Sequence, residues 1–212
     1  MEIEVVRQGA DWVVIDKPSG MLSVPGKGPE KADCARVRVM QLFPDATGPI
    51  TVHRLDMDTS GLLIHGLTPE AQRALSMQFE ARTVEKTYIA VTGPLDAGLG
   101  DMGVVDFPIG VDWPNRPKQT HDPEKGRPST TKWRIIGRTP TTTRLEFTPI
   151  TGRSHQLRVH AAHEDGLHCP ILGDRLYGDA DAAPRLLLHA ATLTFDDPTT
   201  GERVTVASEP GF

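Results

Sequence analysis

Segments that read as extended follow one another along most of this 212-residue chain, and helical patterns interrupt them only two or three times. Trp12-Val13-Val14-Ile15-Asp16-Lys17 is apolar and stops at Pro18, and Lys86-Thr87-Tyr88-Ile89-Ala90-Val91 is β-branched and aromatic. Thr130 to Gly137 and Thr143 to Thr148 alternate as a hairpin does. Arg185 to Phe195 and Arg203 to Val206 end the chain as strands. Helices are predicted in three places. Ala32 to Phe43 is capped near Asp33. Thr68 to about Arg82 opens on Thr68-Pro69-Glu70, a cap residue and a first-turn proline, with Leu75 and Phe79 on one face. Gly152 to His163 turns Leu157 and Val159 inward and Arg153, His155 and Arg158 outward. Ser19 to Gly26 and Asp96 to Gly103 read as loops, and Val111 to Pro128 is polar, proline-bearing and without period. Strands and helices do not alternate regularly, and there is no glycine-rich phosphate loop, which argues against a doubly wound nucleotide fold. The expectation is an α+β fold on a mixed, mainly antiparallel sheet with a few flanking helices.

The length suits one sizeable core. No apolar run is long enough to span a bilayer, and Met1-Glu2-Ile3-Glu4 lacks the apolar core of a secretory signal. Cys34 and Cys169 lie far apart, as free thiols in a reducing compartment do, so a cytoplasmic protein is expected. A net charge of −5 does not advertise a nucleic-acid partner. The distribution does: residues 115–160 hold ten Lys/Arg against three Asp/Glu, a net +7, on an acidic background.

The chemistry centres on His53-Arg54-Leu55-Asp56-Met57-Asp58-Thr59-Ser60-Gly61-Leu62-Leu63. Asp56 follows a cation by two residues and precedes by five a glycine that starts an apolar run. That arrangement presents a carboxylate on a tight turn between extended segments, Pro49 to Val52 and Leu62 to Ile64. Asp, Ser, Thr and Gly are also ordinary turn formers, so a plain polar turn is the bland alternative. As metal ligands, Asp56 and Asp58 lack a nearby third carboxylate. A phosphoryl-transfer aspartate of the haloacid dehalogenase type wants Asp-x-Asp-x-Thr after an apolar strand. Here Thr59 stands at +3, Ser60 at +4, and His53-Arg54 breaks the apolar lead-in. His53, His155, His160, His163, His168 and His189 show neither a cysteine pair nor a His-Glu-x-x-His spacing, so structural or phosphate-facing roles are expected and no metal.

The Asp56 passage resembles the catalytic motif of the RluA family of pseudouridine synthases, and three further segments match in order. Lys86-Thr87-Tyr88-Ile89-Ala90-Val91-Thr92-Gly93 resembles the second motif, Ile150-Thr151-Gly152-Arg153-Ser154-His155-Gln156-Leu157-Arg158-Val159-His160 the third, and Arg185-Leu186-Leu187-Leu188-His189-Ala190 the last. The resemblance covers nearly the whole chain. It implies one catalytic domain over residues 1–212, without the N-terminal S4-type RNA-binding domain that many members carry. It implies that Asp56 is the essential residue, that Tyr88 lies beside it, that Arg153 pairs with it, and that Arg54 sits against a flipped base. Within the family, Lys17 to Gly26 and Asp112-Trp113-Pro114-Asn115-Arg116-Pro117-Lys118-Gln119 are most similar to short, dual-specificity members. The substrates so implied are a 23S rRNA hairpin loop and the anticodon stem-loop of certain tRNAs. RNA contacts are expected from His53, Arg54, Asn115, Arg116, Lys118, Gln119 and Arg158. Thr120 to Lys125 departs from the family's pattern. A monomer is expected.

The reaction explains the residue types. Uridine becomes pseudouridine when the N1–C1′ bond breaks, the uracil turns and C5–C1′ forms. No redox change occurs and no group is lost, so no cofactor is expected. One carboxylate serves as nucleophile toward sugar or base, or as the base that removes a sugar proton; all three routes stay open. An arginine fork favours the ionised carboxylate. A tyrosine stacks on uracil and offers a hydroxyl for proton transfer at C5. A stacked uridine must be flipped out, and Arg54 is suited to fill the space. Asn115 and Gln119 suit base edges, Arg116 and Lys118 suit phosphates, and Trp113 is expected to anchor its loop in the core rather than stack on a base. A non-catalytic RNA-binding module and a Mg²⁺-dependent phosphohydrolase are the rival readings. The set Asp56, Tyr88 and Arg153 favours an isomerase.

Overall fold

A computed structural model describes residues 3–212. In chain order the elements are β1 (Glu4–Gln8), β2 (Trp12–Lys17), α1 (Ala35–Leu42), β3 (Ser60–Gly66), α2 (Pro69–Ala81), β4 (Glu85–Thr92), β5 (Met102–Asp106), β6 (Ile109–Val111), β7 (Gln119–His121), β8 (Thr130–Arg138), β9 (Thr143–Pro149), α3 (Gln156–Ala162), β10 (Leu188–Asp196) and β11 (Arg203–Ala207). They fall into two compact units. One holds the residues up to Lys86 with His189–Gly211, the other Thr87–Leu188 with Phe212.

In the first unit β1, β2 and β3 run antiparallel in sequence order. β10 joins β3 in parallel, with His189 opposite Ser60, and β11 returns antiparallel on β10. Val13, Val14 and Ile15 are all fully buried, so both faces of β2 are covered, and its sequence is accordingly apolar without alternation. Trp12, Val14, Leu62, Ile64, Leu75 and Phe195 form the core. α2 presses close on β3 because Gly66 has no side chain: a Cβ there would lie 2.4 Å from the Gln72 nitrogen. Thr68 caps α2 as predicted, accepting from the Ala71 amide at 3.2 Å.

In the second unit β4 pairs with β9, β9 with β8 and β8 with β5, all antiparallel, and β6 and β7 make a separate short hairpin. Phe107, Trp133, Leu145, Phe147, Leu157, Val159 and Ile171 fill its core. The architecture is α+β on mixed, mainly antiparallel pairing, as expected.

Several local expectations need correction. α1 starts at Ala35 after Cys34, and Asp33 is not its cap; the Asp33 carboxylate takes the Nε and Nη2 of Arg38 at 2.7 and 2.6 Å. Pro49 to Val52 is no strand; it meets β3 at an isolated bridge, Thr51 opposite His65, and at the Ile50 carbonyl, which accepts the Gly66 amide at 3.0 Å. β5 begins inside the predicted surface loop, and β6 and β7 order part of the predicted irregular stretch. α3 starts four residues late, after His155 in a left-handed conformation (φ 56). Arg158 does not face outward: it is 2% exposed.

Buried histidines make the fold acid-sensitive. Burial holds His65 and His160 down to about 4, and burial with the charge of Lys86 holds His53 well below the ordinary histidine value. Unfolded, each titrates near pH 6.5, so the unfolded chain binds more protons between about 4 and 6.5. Stability from these groups is complete above that window and is lost as pH falls through it. His65 and His160 each account for roughly 2 kcal/mol lost by pH 5. Urea midpoints at pH 7.5 and pH 5 check this, and equal midpoints would show that these rings do not stay neutral.

Candidate active site

The Asp56 turn is built by long-range clamps. The Thr59 amide donates to the Asp56 carbonyl at 3.2 Å, closing the turn. The buried Ser23 hydroxyl donates to the Leu55 carbonyl at 2.7 Å and accepts from the Leu55 amide at 3.0 Å, so the residue before Asp56 is held on both backbone groups. Ser19 Oγ donates to the Asp58 carbonyl at 2.6 Å and the Gly20 amide to that of Met57 at 2.9 Å. Lys17, fully buried, sends Nζ to the carbonyls of Met21 (2.8 Å), Pro18 (3.0 Å) and Met57 (3.1 Å). Its three donors thus tie the loop after β2 to the turn. Burial lowers the Lys17 ammonium to about 8, with Asp56, Asp58 and Asp16 opposing that fall. A cation is therefore built in beneath the carboxylates. Asp56 is half-buried and Arg54 exposed.

Behind the turn, Gly61 takes a φ of +108, and a Cβ there would lie 2.4 Å from the Ala190 carbonyl oxygen, so only glycine lets β3 start against β10. Ser60 Oγ bonds His189 Nδ1 at 2.9 Å, His189 Nε2 bonds Ser208 Oγ at 3.1 Å, and Ser208 donates to Asp16. His189 of the last motif is thereby fastened to Ser60, which begins β3 just past the turn.

In the second unit, half-buried Tyr88 lies on β4 opposite Phe147 and packs against the core. The stretch before α3 is organised by Gln156. Its Oε1 accepts from Thr151 Oγ1 at 2.7 Å and the Arg153 amide at 3.0 Å, and its Nε2 donates to Thr131 Oγ1 at 2.9 Å and the Thr130 carbonyl at 3.0 Å. Arg153, on this turn, is half-buried, with Nε on the Pro128 carbonyl at 3.2 Å. Arg158 is held far more firmly: Nε and Nη2 meet the two Asp174 oxygens at 2.8 and 2.6 Å. Burial alone would raise the Asp174 carboxyl, but Arg158 and the amides of Leu176 and Tyr177 outweigh it and hold it below the usual range. The Tyr177 ring lies under the Arg158 guanidinium at 5.2 Å.

The Asp112–Gln119 loop is ordered from within. Asp112 accepts the Asn115 side-chain amide at 2.9 Å, and the Gln119 amide nitrogen meets the carbonyls of Lys118 and Pro117 at 3.2 and 3.3 Å. Both side chains expected to read base edges therefore bond within the loop. Trp113 does not anchor in the core: it is 69% exposed, with Arg116 stacked on its ring at 4.6 Å. The loop is pinned at its end instead, where the Gln119 backbone amide donates to Tyr177 Oη and His155 Nδ1 bonds the same oxygen, each at 2.7 Å. His53 is engaged within the protein. Its ring stacks on Phe79 at 4.4 Å and its Nε2 accepts the Ile64 amide at 3.2 Å, so it is neutral.

The residues missed from sequence are Lys17, Ser23, Gln156, Asp174 and Tyr177. Lys17 and Ser23 hold the residues on either side of Asp56, and Gln156, Asp174 and Tyr177 hold Arg153, Arg158 and the Gln119 backbone. A lysine closing a strand that opens on four apolar residues was the available signal for Lys17.

The sequence profile of the RNA pseudouridylate synthase family matches residues 11–163. The chain is 44% identical to the dual-specificity RNA pseudouridine synthase RluA of Haemophilus ducreyi, over 99% of this chain and 94% of that protein. Against the protein of the same name from Escherichia coli the identity is 45%, over 98% and 93%. The solved structure of human RNA pseudouridylate synthase domain containing 4 superposes with a TM-score of 0.77 at 26% identity, covering 98% of this chain and 88% of that one.

Proposed function

Because the chain belongs to the RNA pseudouridylate synthase family, we propose that it isomerises uridine in two kinds of RNA stem-loop, a 23S rRNA hairpin loop and the anticodon stem-loop of certain tRNAs. Residues 1–212 act as one catalytic domain, as a cytoplasmic monomer, and the isomerisation itself needs no cofactor or metal. Among the described residues no helix is long and apolar enough to cross a membrane.

The observation that carries the reading is the clamped turn of Asp56, with the Leu55, Asp56, Met57 and Asp58 carbonyls each held and the buried Lys17 ammonium bonded to it. Such preorganisation is what a carboxylate needs to meet a reacting atom in one position. Asp56 is the catalytic carboxylate, acting as nucleophile or as base. Tyr88 stacks on the uracil and handles the proton at C5. Arg54, exposed beside the turn, fills the place of the flipped nucleotide. The third motif supplies the arginine proposed to assist the carboxylate. Of the two there, burial and a fixed fork support Arg158 over Arg153, whose Nε is spent on a loop carbonyl.

Substrate choice falls to the Asp112–Gln119 loop, in a revised form. Trp113 and Arg116 make a ready stacking platform for an unpaired base, and Lys118 holds phosphate. Asn115 and Gln119 shape the loop from inside. Trp113→Ala is expected to weaken RNA binding by about 1–3 kcal/mol, the usual worth of one stacked base. Both RNA classes lose affinity together while the melting temperature stays put. Synthetic stem-loops of each kind, assayed for binding and pseudouridine formation, test this. Wild-type behaviour of Trp113→Ala on both would remove the loop from recognition, and turnover of only one RNA class would end dual specificity.

A further inference from the structure

His121 was absent from the histidines that invited a metal reading, yet it comes to lie with two side chains 42 and 44 residues further on. One donor atom each of His121, His163 and Asp165 falls within 4.8 Å of the other two. His121 Nδ1 stands 2.8 Å from Asp165 Oδ2, and His163 Nδ1 stands 3.5 Å from the same oxygen. Bonds of about 2.0–2.2 Å in a tetrahedral shell hold neighbouring donors about 3.3 Å apart; the His163–Asp165 separation is close to that, and the shorter His121–Asp165 contact is a hydrogen bond that an ion between the two atoms would replace.

The three side chains are set in place by their surroundings. Phe107 packs against the rings of His121 and His163 at 4.7 and 5.4 Å, and the two imidazoles meet edge to face at 5.5 Å. His121 closes β7. His163 and Asp165 sit on the turn that ends α3, where the Asp165 amide donates to His163 Nδ1 at 3.2 Å, a bond that an ion on that nitrogen would replace. The group is open to solvent, the side chains being 21, 25 and 55% exposed for His121, His163 and Asp165. None of the three is among the residues assigned above to the isomerisation.

We propose that His121, His163 and Asp165 form a binding site for a zinc-class divalent metal ion. Two imidazoles with one carboxylate suit Zn²⁺ or Co²⁺ and leave a fourth position for water. Mg²⁺ and Ca²⁺ prefer all-oxygen shells and are excluded by the same donors. The ion joins β7 to the turn after α3. It thus adds a second fastening next to the Gln119–Tyr177 bond at the foot of the Trp113 loop. Its role is to stiffen the arm that meets RNA.

The test is calorimetric titration of Zn²⁺ into the chelator-stripped full chain, with Co²⁺ absorption as a second readout. One equivalent is expected to bind, with the visible bands of a four-coordinate Co²⁺ site, and Mg²⁺ gives no heat. Asp165→Asn and His121→Ala are each expected to weaken binding by at least about 10–100-fold, the scale found even for outer-shell partners. Cys169→Ser leaves it unchanged. No Zn²⁺ binding to the wild type, or binding that survives both ligand variants, overturns the site. The assay reads the metal directly, so its failure leaves the isomerase reading intact, and loss of isomerisation in EDTA would count against that reading alone.

Discussion

Asp56→Asn will keep the fold and lose the reaction. The side chain changes by one atom, and the turn that carries it is held by groups that the substitution does not touch. The Thr59 amide uses the Asp56 backbone carbonyl, Ser23 holds Leu55, and Lys17 and Gly20 hold Met57. The backbone clamps of the turn are therefore expected to persist, and the variant to unfold as one cooperative unit, as the wild type does. RNA affinity is kept as well, because the phosphate and stacking contacts are elsewhere. What disappears is the charge and basicity that every available route requires. A positioned acid–base group alone is worth about 10²–10⁴ in rate, and a nucleophile's loss is complete, so single-turnover conversion should fall by at least that range. Near wild-type turnover in this variant would take Asp56 out of the chemistry.

The largest effect on stability is expected at Arg158. Its guanidinium and Asp174 are buried together, 3 and 0% exposed, and bonded through two parallel contacts. Arg158→Ala strands the Asp174 carboxylate without its counter-charge, a change that costs about 3–5 kcal/mol in buried pairs. Arg153→Ala removes a half-buried side chain with one contact to a carbonyl, and is expected within about 1 kcal/mol. The double variant Arg158→Met with Asp174→Leu separates structure from chemistry. Replacing both charges by apolar groups of similar size is often close to neutral, so stability should largely return. Isomerisation should not, because the rigid cation is gone. If activity returns with the fold, Arg158 is structural only, and Arg153 is the arginine to pursue.

What could be read from sequence was local. The Asp56 turn announced itself through Asp, Ser, Thr and Gly between extended segments, and its closing bond spans three residues. α2 was legible to within a residue because cap, proline and apolar face all lie inside the helix. α3 was not. Gln156, Arg158 and His160 are buried, so its polar positions looked like a solvent face when they are satisfied by Thr131 and Asp174. Polarity alone cannot reveal a partner 16 to 29 residues away. The same holds for Lys17, whose bond to Met57 spans 40 residues, and for Tyr177, 58 residues from Gln119. β5 was missed because Met102 and Val104 stay exposed and give no buried alternation. Trp113 was misplaced by the ordinary expectation that a tryptophan packs inside; an arginine two residues past the next proline covers its ring instead.

The central claim is that this chain converts uridine to pseudouridine at Asp56 without help from a metal. Single-turnover assays on a minimal 23S hairpin and a minimal anticodon stem-loop, each in the presence of EDTA, test it most directly. Wild type is expected to form pseudouridine in both RNAs with the chelator present, and Asp56→Asn in neither. Absence of pseudouridine from both RNAs with the wild-type chain, or activity that stops when EDTA is added, would contradict it.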